Sequence, residues 1–98
     1  MLIVTGSVEA RVDSFDRVLE LSVAHVRRSR AEPGCVLHSV LRDVEQPLRL
    51  VFLEQWADAD ALDAHFRVPA SGAFVAELAA LAARPPEMAI FDVQPASA

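Results

Sequence analysis

The order of apolar patterns along the chain predicts an α+β domain, with one antiparallel sheet of four strands and helices packed on one of its faces. Three observations carry that reading. Apolar residues alternate with a period of two in four segments, as strands require, and recur every three to four residues in the segments between them, as helices require. The second and third strands are joined only by the polar loop from Asp43 to Pro47, too short for a crossover, so they form an antiparallel hairpin. The 98 residues make one domain, long enough to bury about two thirds of the surface an unfolded chain exposes.

The elements follow in order. Leu2, Val4, Gly6 and Val8 alternate with Ile3, Thr5 and Ser7 as a first strand. Asp13 or Ser14 suits the cap of a helix whose inner stripe is Phe15, Val18, Leu19, Ser22 and Val26, with His25 beside it at the rim of the core or of a pocket. Arg27, Arg28 and Arg30 favour the negative end of that helix. Glu32, Pro33 and Gly34 stop it, and Cys35, Leu37, Ser39 and Leu41 then alternate with Val36, His38, Val40 and Arg42 as a second strand. In the third strand Leu48, Leu50, Phe52, Glu54 and Trp56 share one face, so a carboxylate stands among large apolar groups. Asp58 is a good N-cap, and Ala61, Leu62, His65 and Phe66 form the stripe of the next helix, which directs His65 inward. Pro69 breaks that helix and Ser71 caps another carrying Phe74, Leu78 and Leu81. Pro85 and Pro86 end it, a last strand runs from Glu87 to Val93, and a domain of residues 1–94 leaves a frayed tail at 95–98.

This order is the ferredoxin-like plan. Helices cover one face of such a sheet, yet Val51 and Leu53 oppose Leu50 and Phe52, and Val36 and Val40 oppose Leu37 and Leu41. Both faces are therefore apolar, and an antiparallel sheet facing water on one side would not be. A symmetric copy pressing its sheet against this one would cover the second face, so a homodimer forming a dimeric α+β barrel is expected.

Composition removes several classes of function. A net charge of −5 without a basic cluster gives no footprint for nucleic acid, whose phosphates would be repelled. Hydrophobic residues make up 53% of the chain, but no apolar run approaches the roughly 20 residues that span a bilayer. No basic region precedes the apolar start, so a signal peptide is not expected and a cytoplasmic protein is. One cysteine, Cys35, leaves no intrachain disulfide and no thiolate zinc site within one subunit, and it reads as a small buried apolar group.

Taken together, Glu32, Pro33, Gly34 and Cys35, then Phe52, Glu54 and Trp56, then Ala61, Leu62, Ala64 and His65, with Pro69 and Phe74 beyond, resemble the antibiotic biosynthesis monooxygenase (ABM) domain, particularly its quinol monooxygenase-like members. The resemblance covers nearly the whole chain. It implies a dimeric barrel with a cavity between sheet and helices, and oxidation of a small quinol or polycyclic phenol by molecular oxygen without a metal or organic cofactor. Triplet oxygen reacts slowly with closed-shell molecules, so the substrate must first be deprotonated to a better electron donor. Such chemistry needs a base near neutral pKa, a donor for the resulting oxyanion and a dry cavity.

The resemblance implies His65 as the base and Trp56 as indole N–H donor to the substrate oxygen, with Phe52, Phe66, Phe74 and His25 against the substrate. The residues also admit plainer roles. Trp56 and the phenylalanines suit an ordinary core, and His65 suits a buried, hydrogen-bonded structural histidine. Glu54 needs a partner, expected to be Arg49, Arg42 or a residue of the second subunit, so a salt bridge at the dimer interface is its expected role. His38, alternating with Val36 and Val40, is expected at the interface or in the barrel. Where many of these proteins carry a second histidine after the proline, this chain has Ala70. An isomerase or other proton-shuttling enzyme of the same fold, or a dimeric small-molecule-binding protein without chemistry, are the alternatives. The haem-degrading branch uses an asparagine, and this chain has none.

Overall fold

In the computed structural model, which describes residues 1–96, seven elements follow one another: β1 (Leu2–Glu9), α1 (Phe15–Ser29), β2 (Cys35–Arg42), β3 (Arg49–Trp56), α2 (Ala59–Arg67), α3 (Pro69–Leu81) and β4 (Glu87–Asp92). The strands form one antiparallel sheet in the order β2-β3-β1-β4, and the ferredoxin-like α+β plan is observed. The helices lie on one side, α1 against β2 and α3, α2 against β3 and α3. Of the tail expected at 95–98, Pro95 and Ala96 belong to no helix or strand, and the last two residues lie outside those described. Among the described residues no helix is long and apolar enough to cross a membrane.

The barrel expected from the sequence is not formed. The sheet is open, with β2 and β4 as its two edges, each paired on one side only. Four strands are too few to close, since about eight are needed for an interior that side chains just fill. The outer face instead carries exposed apolar side chains, Leu37, Leu41 and Phe91 among them, and β4 is exposed along its whole length.

Central β3 shows why the site lies where it does. Its burial alternates strictly, with Leu50, Phe52, Glu54 and Trp56 buried under the helices. Phe52 and Leu50 join Val8, Val18, Val26, Phe74 and other residues in the larger apolar cluster, while Trp56 joins Val4 and Leu62 in a smaller one. Between these two clusters Glu54 pairs across the sheet with His38 on one side and Val4 on the other, so a polar rung divides the core.

Two local expectations change. In β2, Cys35 pairs with Trp56 and Leu37 with Gln55, which leaves Val36 as an extra, bulged residue. The bulge moves Cys35 onto the same face as His38 and Val40, and that face lies under the helices, not at an outer interface; Cys35 itself is half-buried, packed against the smaller cluster. In α3, Pro69 opens the helix at its first turn, where the missing N–H costs nothing, so Ser71 lies inside the helix and does not cap it. Asp58 does cap α2, accepting from the Ala61 N–H at 2.8 Å. Ser14 occupies the N-cap position of α1 but makes no cap bond; its hydroxyl donates to the Leu81 carbonyl at 2.8 Å, tying the start of α1 to the end of α3.

Candidate functional site

A cavity of about 490 Å³ lies between α3 and the sheet, with His25, Phe52, Glu54, His65, Phe66 and Phe74 in its wall. Its size falls within the range of small-molecule sites, about 300–1,000 Å³. Trp56 and His38 are not in that wall; they are fully buried behind it.

His65 is delivered by α2, whose cap at Asp58 and inner residue Leu62 turn it toward the sheet, leaving it 3% exposed. The turn after α1 then reaches it. Gly34 holds a φ of +80°, and a Cβ there would collide with the Ala61 side chain, so only glycine lets this turn lie against α2. The close approach brings Glu32 to His65, with Oε1 2.9 Å from Nδ1. A carboxylate can only accept, so Nδ1 carries the proton and Nε2 keeps a free lone pair when the ring is neutral.

Glu54 is the centre of the polar rung. Its Oε1 accepts from the Trp56 indole N–H at 2.9 Å and lies 3.3 Å from His38 Nε2 and 4.0 Å from His65 Nε2. Burial alone would push this carboxyl up, but His38, the indole N–H and His65 together outweigh it and hold Glu54 below the usual carboxylate range. Among the described residues neither nitrogen of His38 has an aligned hydrogen-bond partner, although the ring is 1% exposed.

His25 stacks flat on Phe74, with ring centroids 4.1 Å apart, and its Nδ1 accepts from the Arg28 guanidinium at 2.6 Å. Burial first, then His38, His65 and Arg28, push it down to about 3, so it is neutral near pH 7 and its Nε2 carries the proton.

Neither arginine expected as the partner of Glu54 meets it. Arg49 alternates to the other face and pairs with Asp43, while Arg42, on the covered face but opposite Leu50 at the far end of β2, lies over the Phe15 ring and donates to the Pro47 carbonyl. Glu54 and His38 meet each other within one chain, under the helices, and neither is an interface residue of the outer face. The indole N–H of Trp56 is occupied by Glu54 and does not face the cavity. No imidazole follows Pro69, but His25 and His38 stand against His65 in its place. Sequence reasoning missed Glu32 as a site residue. The Glu32-Pro33-Gly34-Cys35 run marked the turn, but nothing in the spacing tied it to a histidine 33 residues away.

The model of the antibiotic biosynthesis monooxygenase family matches residues 1–77. Among curated proteins, sll1783 of Synechocystis is 32% identical over 92 residues; the match takes in 94% of this chain, which spans 63% of that protein's length. A solved structure described as an antibiotic biosynthesis monooxygenase is 28% identical, covers 97% of this chain and 100% of its own, and superposes with a TM-score of 0.88. Rv0793 of Mycobacterium tuberculosis, 23% identical with coverage of 99% and 98% and a TM-score of 0.90, shares the fold.

Proposed function

Because the chain belongs to the antibiotic biosynthesis monooxygenase family, we propose that it oxidises a small quinol or polycyclic phenol with molecular oxygen, His65 being the base that ionises the substrate. The observation that carries this reading is the pair His65–Glu32 at the wall of the cavity. Glu32 fixes the Nδ1–H tautomer and stabilises the charge that forms when Nε2 takes the substrate's proton. Phe52, Phe66 and Phe74 offer faces and edges to an aromatic substrate. His25, neutral and with its proton on Nε2, is the donor to the resulting oxyanion. Trp56 acts at one remove, holding Glu54 through its N–H. The ionised substrate then passes one electron to oxygen, which overcomes the spin barrier without a cofactor; the resulting substrate radical and superoxide combine to a peroxide, which takes up a proton and loses water to leave the new carbonyl.

Oxygen uptake with dihydroxynaphthalenes or anthrone tests the proposal. His65→Ala should lower kcat by about 10²- to 10⁴-fold, the usual contribution of a positioned base. Uptake by that variant at the wild-type rate would remove His65 from the reaction. The approach of two proton-handling groups, Glu54 Oε1 and His65 Nε2 at 4.0 Å, favours a second reading, an isomerase that shuttles a proton between two carbons of a carbonyl substrate. Turnover without oxygen would select it. We also propose that the protein works as a homodimer associating through the outer face of the sheet, on the strength of the exposed Leu37, Leu41 and Phe91.

A further inference from the structure

His25 of α1, His38 of β2 and His65 of α2 converge from three elements; all are buried, and each offers a ring nitrogen within 4.8 Å of the other two. Their ring centroids form a nearly equilateral triangle with sides of 5.3, 5.3 and 5.5 Å. Tetrahedral coordination with nitrogen–metal bonds of about 2.0–2.1 Å sets three imidazole centroids about 5.2 Å apart and their donor nitrogens about 3.4 Å apart. The ring centres thus already stand at the separation a shared ion needs, while the nitrogens, within 4.8 Å of one another, have to close in by turning of the rings.

Three further features point the same way. His38 is buried and, among the described residues, has no aligned partner for either nitrogen, a costly state for a ring with two polar atoms. Glu54 is a buried carboxylate with no arginine beside it, and the chain has no lysine at all. Its aligned hydrogen-bond donor is the Trp56 N–H, and its other close neighbours are the His38 and His65 rings, so a cation held by those rings would offset its charge. Glu32 accepts from His65 Nδ1 and leaves Nε2 free, the carboxylate–histidine arrangement that orients a ligand and raises its basicity.

We propose that His25, His38 and His65 bind one divalent transition-metal cation of the zinc or cobalt type, with the Glu54 carboxylate beside it to balance charge. His25 is the ligand that must adjust. It is already held unprotonated on one nitrogen, but Arg28 occupies that nitrogen, and the exposed Arg28 side chain has to swing aside so that the ring proton can move and a lone pair face the ion. The inference does not rest on the oxidation proposed above. The two share two rings: the lone pair of His65 Nε2 serves either a substrate proton or the ion, and His25 either donates its ring proton or ligates.

The test is a titration of chelator-stripped protein with Co²⁺ at neutral pH, read by visible absorption and by equilibrium dialysis. The expected result is one Co²⁺ per chain with the intense visible bands of four-coordinate cobalt. His38→Ala should lose those bands, and Glu32→Gln, which keeps the three ligands, should weaken binding about 10- to 100-fold. If His38→Ala does not fold, Glu32→Gln decides. Absence of the bands in the wild-type protein, or equal binding by the wild type and Glu32→Gln, would overturn the proposal. Oxygen uptake measured with chelator present reports the proposed oxidation separately, so either can fail alone.

Discussion

Burial, the neighbouring imidazoles and the Arg28 guanidinium push His25 down to about 3, whereas an unfolded histidine takes up its proton near 6.5. Between these values the unfolded chain binds the extra proton, so the contribution of His25 is fully present above pH 6.5 and is lost as pH falls, by up to about 1.4 kcal/mol per unit. Glu54 acts with the same sign at lower pH, since its depressed carboxyl contributes stability above the ordinary glutamate range that acid removes. Denaturant unfolding of chelator-treated protein at pH 7 and pH 5 should therefore show a loss in the wild type about 2 kcal/mol larger than in His25→Gln. Parallel losses in the two proteins would show that His25 titrates normally in the fold. Glu32 makes a different prediction. As a positioning residue it should leave KM nearly unchanged while Glu32→Gln lowers kcat about tenfold or more, with partial rescue by Glu32→Asp; a change confined to KM would count against it. At this scale the sequence speaks unevenly. The inward aim of His65 follows from a cap and a stripe within eight residues, but its partner Glu32 lies on another element and reaches it only through the packing of a turn.

That turn belongs to the scale of elements, where a single glycine links the end of α1 to α2. Gly34→Ala would carry the left-handed conformation at about 1–2 kcal/mol and add a collision with the Ala61 side chain. The expected outcome is a fall in stability of at least that size, together with a loss of kcat like that of Glu32→Gln, because the turn can no longer hold Glu32 against His65. Unchanged kcat in a folded Gly34→Ala protein would separate the turn from the site. Asp58→Ala, by comparison, should cost about 1 kcal/mol, the ordinary worth of an N-cap, as read by denaturant unfolding. The elements themselves are legible because period and punctuation agree: β1, β3, α1 and α2 follow from alternation, stripes and caps. β2 is the exception. Cys35, Val36 and Leu37 are all apolar, so no residue marks Val36 as the extra one, and an unmarked bulge turns the first residue of the strand to the other face. His38, beyond the bulge, belongs to the covered side because the hairpin register sets it opposite Glu54, where alternation with two valines suggested an interface.

For the whole molecule, the open question of cover is physical. The chain measures 43 × 32 × 20 Å, the thinness of one sheet with one layer of helices, and its outer face leaves Leu37, Leu41 and Phe91 38%, 51% and 50% exposed. Alternation in the sequence reports that this face is apolar but not which surface meets it, and the four strands stay open without closing on themselves. Apolar area of this kind is stabilised by leaving water, at about 25 cal/mol per Å² removed. Association through the face makes thermal stability depend on concentration, because a partner that binds only the folded chain shifts unfolding by mass action. Light scattering at micromolar concentration should thus give twice the 10.6 kDa of one chain, with a Tm that rises on concentrating the protein. Leu41→Glu combined with Phe91→Glu, both exposed in the single chain and remote from the cavity wall, should yield a folded monomer whose Tm no longer depends on concentration. A wild-type protein already monomeric under those conditions would leave the apolar face open to water and sink the dimer.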